Sequence, residues 1–224
     1  MGNELSVVPA TLTSHTTIPT PSAAGEQFTF ISESNSDNGG TVTGVQTLRF
    51  HYIDAVDGIE YTEDVTLNGT TEVDSVITTG RFINDMYSLT VGSNGVAEGH
   101  IRVYKKDSPE LVYNMIAMGG NKSLVPHRMV PTGKKLILGG WHGAEVNAKN
   151  CVIRVRSTDM YGVLIPGVFC FKGTSYVNKN TTGPAPLHAL VPALSIVKVS
   201  GWPSQATAIA SVDWWGILRD DLIQ

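Results

Sequence analysis

Tyr61, Glu63, Val65 and Leu67 alternate with Thr62, Asp64 and Thr66, and the run ends on Asn68-Gly69 before β-branched sequence resumes at Thr70-Thr-Glu-Val73. Period-two alternation places the two sets of side chains on opposite faces of a strand, and Asn-Gly takes the positive φ angles of a tight type I′ turn. The reading is a hairpin and, since little of the chain shows a helical period, an antiparallel all-β protein.

Punctuated short strands continue on both sides of this stretch. Leu48, Phe50 and Tyr52 alternate with Arg49 and His51 before a turn at Asp57-Gly58, and further strands are predicted at 27–32, 82–91, 99–104 and 111–118. After Gly119-Gly120 come a run at 124–129, the turn Pro131-Thr-Gly133 and the apolar Leu136-Ile-Leu138, read together as a hairpin. Cys151, Ile153 and Val155 then share one face of a strand while Val152, Arg154 and Arg156 take the other. A closing strand puts Ala206, Ala208, Ala210, Val212 and Trp214 on one side and Thr207, Ile209, Ser211, Asp213 and Trp215 on the other. About eight strands in a hundred residues suit a jelly roll or related sandwich. The expected organisation is an extended, proline-bearing N-terminal arm (1–25), a β lobe (26–120) and a jelly-roll-like β-sandwich (121–224).

The 224 residues are 42% hydrophobic and 16% charged, enough to bury a sizeable core in one large or two small domains. A formal charge of −4 without a dense Lys/Arg cluster argues against nucleic acid as a partner. No run approaches membrane-spanning length, so no membrane partner is expected. Met1-Gly-Asn-Glu-Leu-Ser lacks a basic and then apolar leader, which places the expected start of the mature chain near Met1. Cys151 and Cys170 read as two buried free thiols.

Chemical motifs are weak. His142, Cys151, Cys170 and His188 match no compact metal-ligand spacing, and the oxygen-rich Asp54-Ala-Val-Asp57-Gly58-Ile-Glu60 is better explained as a turn than as a calcium loop. Gly119-Gly-Asn-Lys-Ser123 lacks the glycines and the strand-loop-helix setting of a phosphate loop. The neighbouring carboxylates Glu63-Asp64 and Asp220-Asp221 point to opposite faces and so do not converge as an acid-base pair. Asn68, Asn121 and Asn180 open glycosylation triplets that need a secretory route to matter. No catalytic residue, cofactor or metal ligand is expected, and the chain reads as a non-enzyme; a glycan hydrolase is the least favoured reading.

Aromatic residues carry the remaining signal. Trp214 and Trp215 are consecutive and must face opposite sides, so Ile209, Trp215 and Ile217 form a stripe that needs another layer, either the other lobe or a partner subunit. Trp141, His142, Tyr176 and Trp202 are expected on loops, as a candidate binding surface.

The hairpin Glu60-Tyr-Thr-Glu-Asp-Val-Thr-Leu-Asn-Gly-Thr-Thr-Glu-Val73, followed by Val130-Pro-Thr-Gly-Lys-Lys135, resembles segments of a group of tailed-bacteriophage virion structural proteins, particularly from aquatic phages. The resemblance runs from about Thr41 to Gly216, with Asp64 where threonine is usual and Thr132 where alanine is usual. It implies a subunit of the phage particle, assembled in the host cytoplasm, that decorates or cements the capsid. Its implied partners are the major capsid protein or other virion proteins and further copies of itself, with a trimer as the first expectation. The alternative is a tail fibre or baseplate module that contacts host surface glycan.

Overall fold

A computed structural model describes residues 19–145, 149–178, 185–203 and 210–221. These residues are all-β, built from antiparallel sheets and without a helix. They fall into two compact units, one ending at Val125 and the other beginning at Pro126, a few residues past the boundary expected at 120/121.

The first unit has two sheets. Strands β1 (Phe28–Ser32), β4 (Val73–Asp74), β6 (Ile101–Lys105) and β7 (Ser108–Ile116) form one, in the order β4-β1-β6-β7. Strands β2 (Val45–Asp54), β3 (Glu60–Thr66) and β5 (Gly80–Val91) form the other, in the order β3-β2-β5. Both sheets send alternate side chains into one core. Phe28, Phe30, Phe50 and Tyr113 meet there edge-on or tilted, with Phe28 and Phe50 centroids 6.1 Å apart and nearly perpendicular. Asp57-Gly58 closes a β2–β3 hairpin as expected, and the Asp57 carboxylate accepts from the Ile59 N–H at 2.8 Å and the Tyr61 hydroxyl at 2.7 Å.

The Asn68-Gly69 turn departs from expectation. Gly69 does take a positive φ of 63°, but β4 pairs with β1 rather than with β3, so the turn carries the chain from one sheet to the other. The exchange is held by a neighbouring loop, in which the Gly69 N–H donates to the Asp37 carbonyl at 2.8 Å and the Thr70 hydroxyl to Asn35 Oδ1 at 2.8 Å. Alternation identifies a strand but not its partner, and here the loop fixes the partner.

The second unit repeats the lesson at Pro131-Thr-Gly133. Strand β8 (His127–Met129) pairs with β15 (Ile196–Pro203), whereas β9 (Lys134–Glu145) lies in the other sheet, so this turn also crosses the sandwich instead of closing a hairpin. One sheet runs β13-β10-β15-β8, with β10 at Asn150–Ser157 and β13 at Cys170–Asn178. The other runs β14-β9-β16, with β14 at Ala185–Val191 and β16 at Ala210–Asp220. A small ribbon, β11 (Asp159–Met160) with β12 (Val163–Leu164), stands apart from both. The core between the sheets holds Leu136, Leu138 and Trp141 of β9, Cys151, Ile153 and Val155 of β10, and Val197 and Val199 of β15. Val212 and Trp214 of β16 pack against it on the inward face expected of the closing strand, and Leu218 joins them there.

Of the expected N-terminal arm, residues 1–18 lie outside the described residues. In the remainder the Gly25 N–H closes a turn on the Ser22 carbonyl at 3.0 Å, and Glu26, the first residue of the lobe, bridges to Gly80.

Candidate functional site

The residues singled out as a loop surface are strand residues. Trp141 is in β9, 4% exposed, and fills the core against Gly173, because its inward position in the alternation coincides with a glycine on the facing sheet. His142, next in β9, lies opposite Asp213 in register. Tyr176 and Trp202 belong to the other sheet, where both pair with Val152 from opposite sides. Tyr176 is well exposed; the Trp202 side chain lies outside the described part. The four therefore form no single platform.

The expected stripe is in place where it can be seen. Trp215 and Ile217 are 43% and 57% exposed on the outer face of β16, while Ile209 lies outside the described residues. A register shift between Trp215 and Gly216 leaves Gly139 of β9 without a direct partner, and the indole of Trp215 rests over that glycine. Ile137 of β9 pairs with Ile217 on one side and Leu190 of β14 on the other. Leu190, Ile137 and Ile217 thus form an apolar row across all three strands, on the face turned away from the core.

Leu190 also lines a groove of about 610 Å³ whose other walls include Met160, Tyr161, Cys170, Phe171 and Lys172. Cys170 corrects an expectation: it opens β13 and is only half-buried, whereas Cys151 is buried as expected, and both are free thiols. Beneath the groove Asp159, with no exposure, accepts from Lys172 Nζ at 2.7 Å, from the Gly162 N–H at 3.1 Å and from the Ser157 hydroxyl. Burying polar oxygens costs free energy unless they are hydrogen-bonded, and these three donors meet that requirement.

These bonds anchor a finger. Met160 pairs with Val163, and the two residues between them, Tyr161 and Gly162, have φ of 51° and 83°. Two consecutive positive φ angles in a two-residue loop are the type I′ pattern, so that turn occurs here and not at Asn68-Gly69. Tyr161 is 97% exposed at the tip. A bulky residue in the left-handed region is strained, and it is held there by the base of the finger: Thr158 exchanges backbone bonds with Ile196 at 3.0 Å and Ile165 at 2.8 Å, and its hydroxyl accepts the Ile196 N–H at 2.8 Å. Beside it, the Arg154 guanidinium lies 4.9 Å from the Phe171 ring centroid, and Arg156 and Lys198 flank Phe169 at 5.4 and 5.6 Å.

The finger and the Asp159–Lys172 pair were not legible in the sequence. Tyr-Gly is not a usual I′ dipeptide, and the ion pair joins residues that no motif links; the one usable signal was Gly162 immediately before the β-branched Val163.

Among the described residues no cluster of three or more His, Cys, Asp or Glu is arranged to hold a metal ion, and no helix is long and apolar enough to cross a membrane. Compared with known protein families, with curated proteins and with solved structures, the chain matches none.

Proposed function

We propose that this chain is a non-enzymatic virion structural protein, a β-sandwich subunit that decorates or cements a phage capsid through contacts among copies and with the major capsid protein. The observation that carries the reading is the Leu190–Ile137–Ile217 row with Trp215, an apolar outer sheet face of the kind that assembly covers. The resemblance of the 60–73 and 130–135 segments to phage virion proteins supplies the particle. A jelly roll for the second unit belongs to the same proposal. It is supported by the strand orders β13-β10-β15-β8 and β14-β9-β16, in which no two sequence neighbours are adjacent within a sheet. Symmetric repetition on a shell would multiply individually weak contacts, a trimer being the first form to test.

Quantitative mass spectrometry of purified particles tests this. The expected result is a chain present at a copy number set by capsid symmetry; its absence from particles overturns the proposal.

A second reading, a tail fibre or baseplate module binding host surface glycan, is favoured by Tyr161 and by Tyr176, which is 78% exposed, since open aromatic faces stack on sugar rings. Glycan-array binding lost in Tyr161→Ala and Tyr176→Ala variants, with only a few copies per particle, would select it over decoration.

A further inference from the structure

We infer that the Tyr161 finger, the adjoining groove and the apolar face of β14-β9-β16 form one continuous surface, and that its occupant is a second copy of this chain. The inference deepens the assembly reading and rests on it.

Continuity follows from Leu190. Its side chain lines the groove on one side and stands in the outer row with Ile137 and Ile217 on the other, so the wet apolar surface is not interrupted at the sheet edge. Met160, Tyr161, Leu190, Trp215 and Ile217 are all substantially exposed along it, while Phe171, in register with Arg156, looks outward from the other sheet. Large side chains present on the order of 150–250 Å² each when fully bare, so these exposed fractions together offer roughly 600 Å². A stable interface takes about 800 Å² from each partner, which this band with its polar rim supplies.

Shape then selects the occupant. The surface carries a projecting knob, Tyr161, and beside it a groove of about 610 Å³, large enough to receive an aromatic side chain. A patch that holds both a knob and a hole has the elements an isologous contact uses, the knob of each copy entering the hole of the other. The knob is also preorganised, since the backbone bonds of Thr158 and the Asp159–Lys172 pair fix the base of the finger, and little order remains to be imposed on association. At the rim Lys134 pairs with Asp220 and Lys135 with Asp221, and Arg219 stands opposite Lys135 in register.

Sedimentation velocity on the full chain, from about 1 to 100 µM, tests the inference on wild type, Leu190→Lys, Tyr161→Asn and a Val76→Lys control on the other unit. Expected are a wild-type mass at least twice 24.0 kDa near 10 µM and a dissociation constant raised about 30-fold or more in both patch variants. The control should behave as wild type, and circular dichroism should show all variants folded. Tyr161→Asn suits a left-handed turn, so its loss of association would not arise from misfolding. A wild type that stays monomeric at 100 µM overturns the inference, as does a monomer that binds lipid vesicles through Tyr161. Variants that associate as wild type does also overturn it; if the chain still co-purifies with particles in symmetric copy number, only this surface assignment falls and the assembly reading stands.

Discussion

Gly173 of β13 faces Trp141 of β9 across the second core, and a Cβ added at Gly173 would come within 2.6 Å of the indole Cζ3. Neither residue tolerates growth of the other. Trp141 is buried and rigidly boxed, so Gly173→Ala is expected to destabilise the second unit by about 1–3 kcal/mol, read as a lower thermal midpoint together with a change in Trp fluorescence. A Cβ at Gly139 would come within 2.6 Å of Trp215, less close than the nearest approach at Gly173, and Trp215 is half-exposed and can swing outward, so Gly139→Ala should cost less.

The finger trades stability for presentation. Tyr161 holds a φ of 51° that asparagine accepts far more readily. Tyr161→Asn should therefore stabilise the folded chain by about 0.5–1 kcal/mol while weakening self-association. A thermal midpoint below wild type would mean that the tyrosine is held by contacts beyond its backbone strain.

Asp159 and Lys172 should behave as a coupled pair. Removing either leaves the other charged and nearly buried, so Asp159→Ala or Lys172→Ala is expected to cost about 3 kcal/mol or more, and the double variant clearly less than the sum of the two. Additive losses in a double-mutant cycle measured by urea unfolding would contradict the pairing.

Tyr104 and Tyr113 give the first unit a predictable alkaline limit. Burial, reinforced by hydrogen bonds to Glu72 and Glu26 respectively, pushes both phenols well above their ordinary range. The native state thus favours the protonated form. The stability this confers is complete below the unfolded value near 10 and is lost as pH rises from there toward the raised native value. Absorbance near 295 nm should show these two of the seven tyrosines ionising only as the fold opens, with Tyr113→Phe reducing the steepness of alkaline unfolding. Ionisation of all seven near pH 10 in folded protein would contradict this.

Strand positions and facing were largely legible, because alternation reports burial directly: Leu48, Phe50 and Tyr52 point inward, and Trp215 and Ile217 outward, as the pattern requires. Pairing was not. Asn68-Gly69 and Pro131-Thr-Gly133 look locally like hairpin turns yet lead across a sandwich, since the partner of a strand depends on contacts far away in sequence, such as the Asp37 carbonyl that captures Gly69. Trp141 was also misplaced. It lies within β9, where Gly139 and Gly140 are strand glycines at a bulge opposite Trp215.

Sedimentation equilibrium of the full chain tests the central claim most directly, because an assembly subunit must find itself or its companions through the apolar face it leaves open. The account predicts a mass that is a whole multiple of 24.0 kDa at micromolar concentration and falls toward one copy when Ile217 is replaced by lysine. A mass of 24.0 kDa at every concentration up to about 100 µM, unaltered in Ile217→Lys, would contradict it.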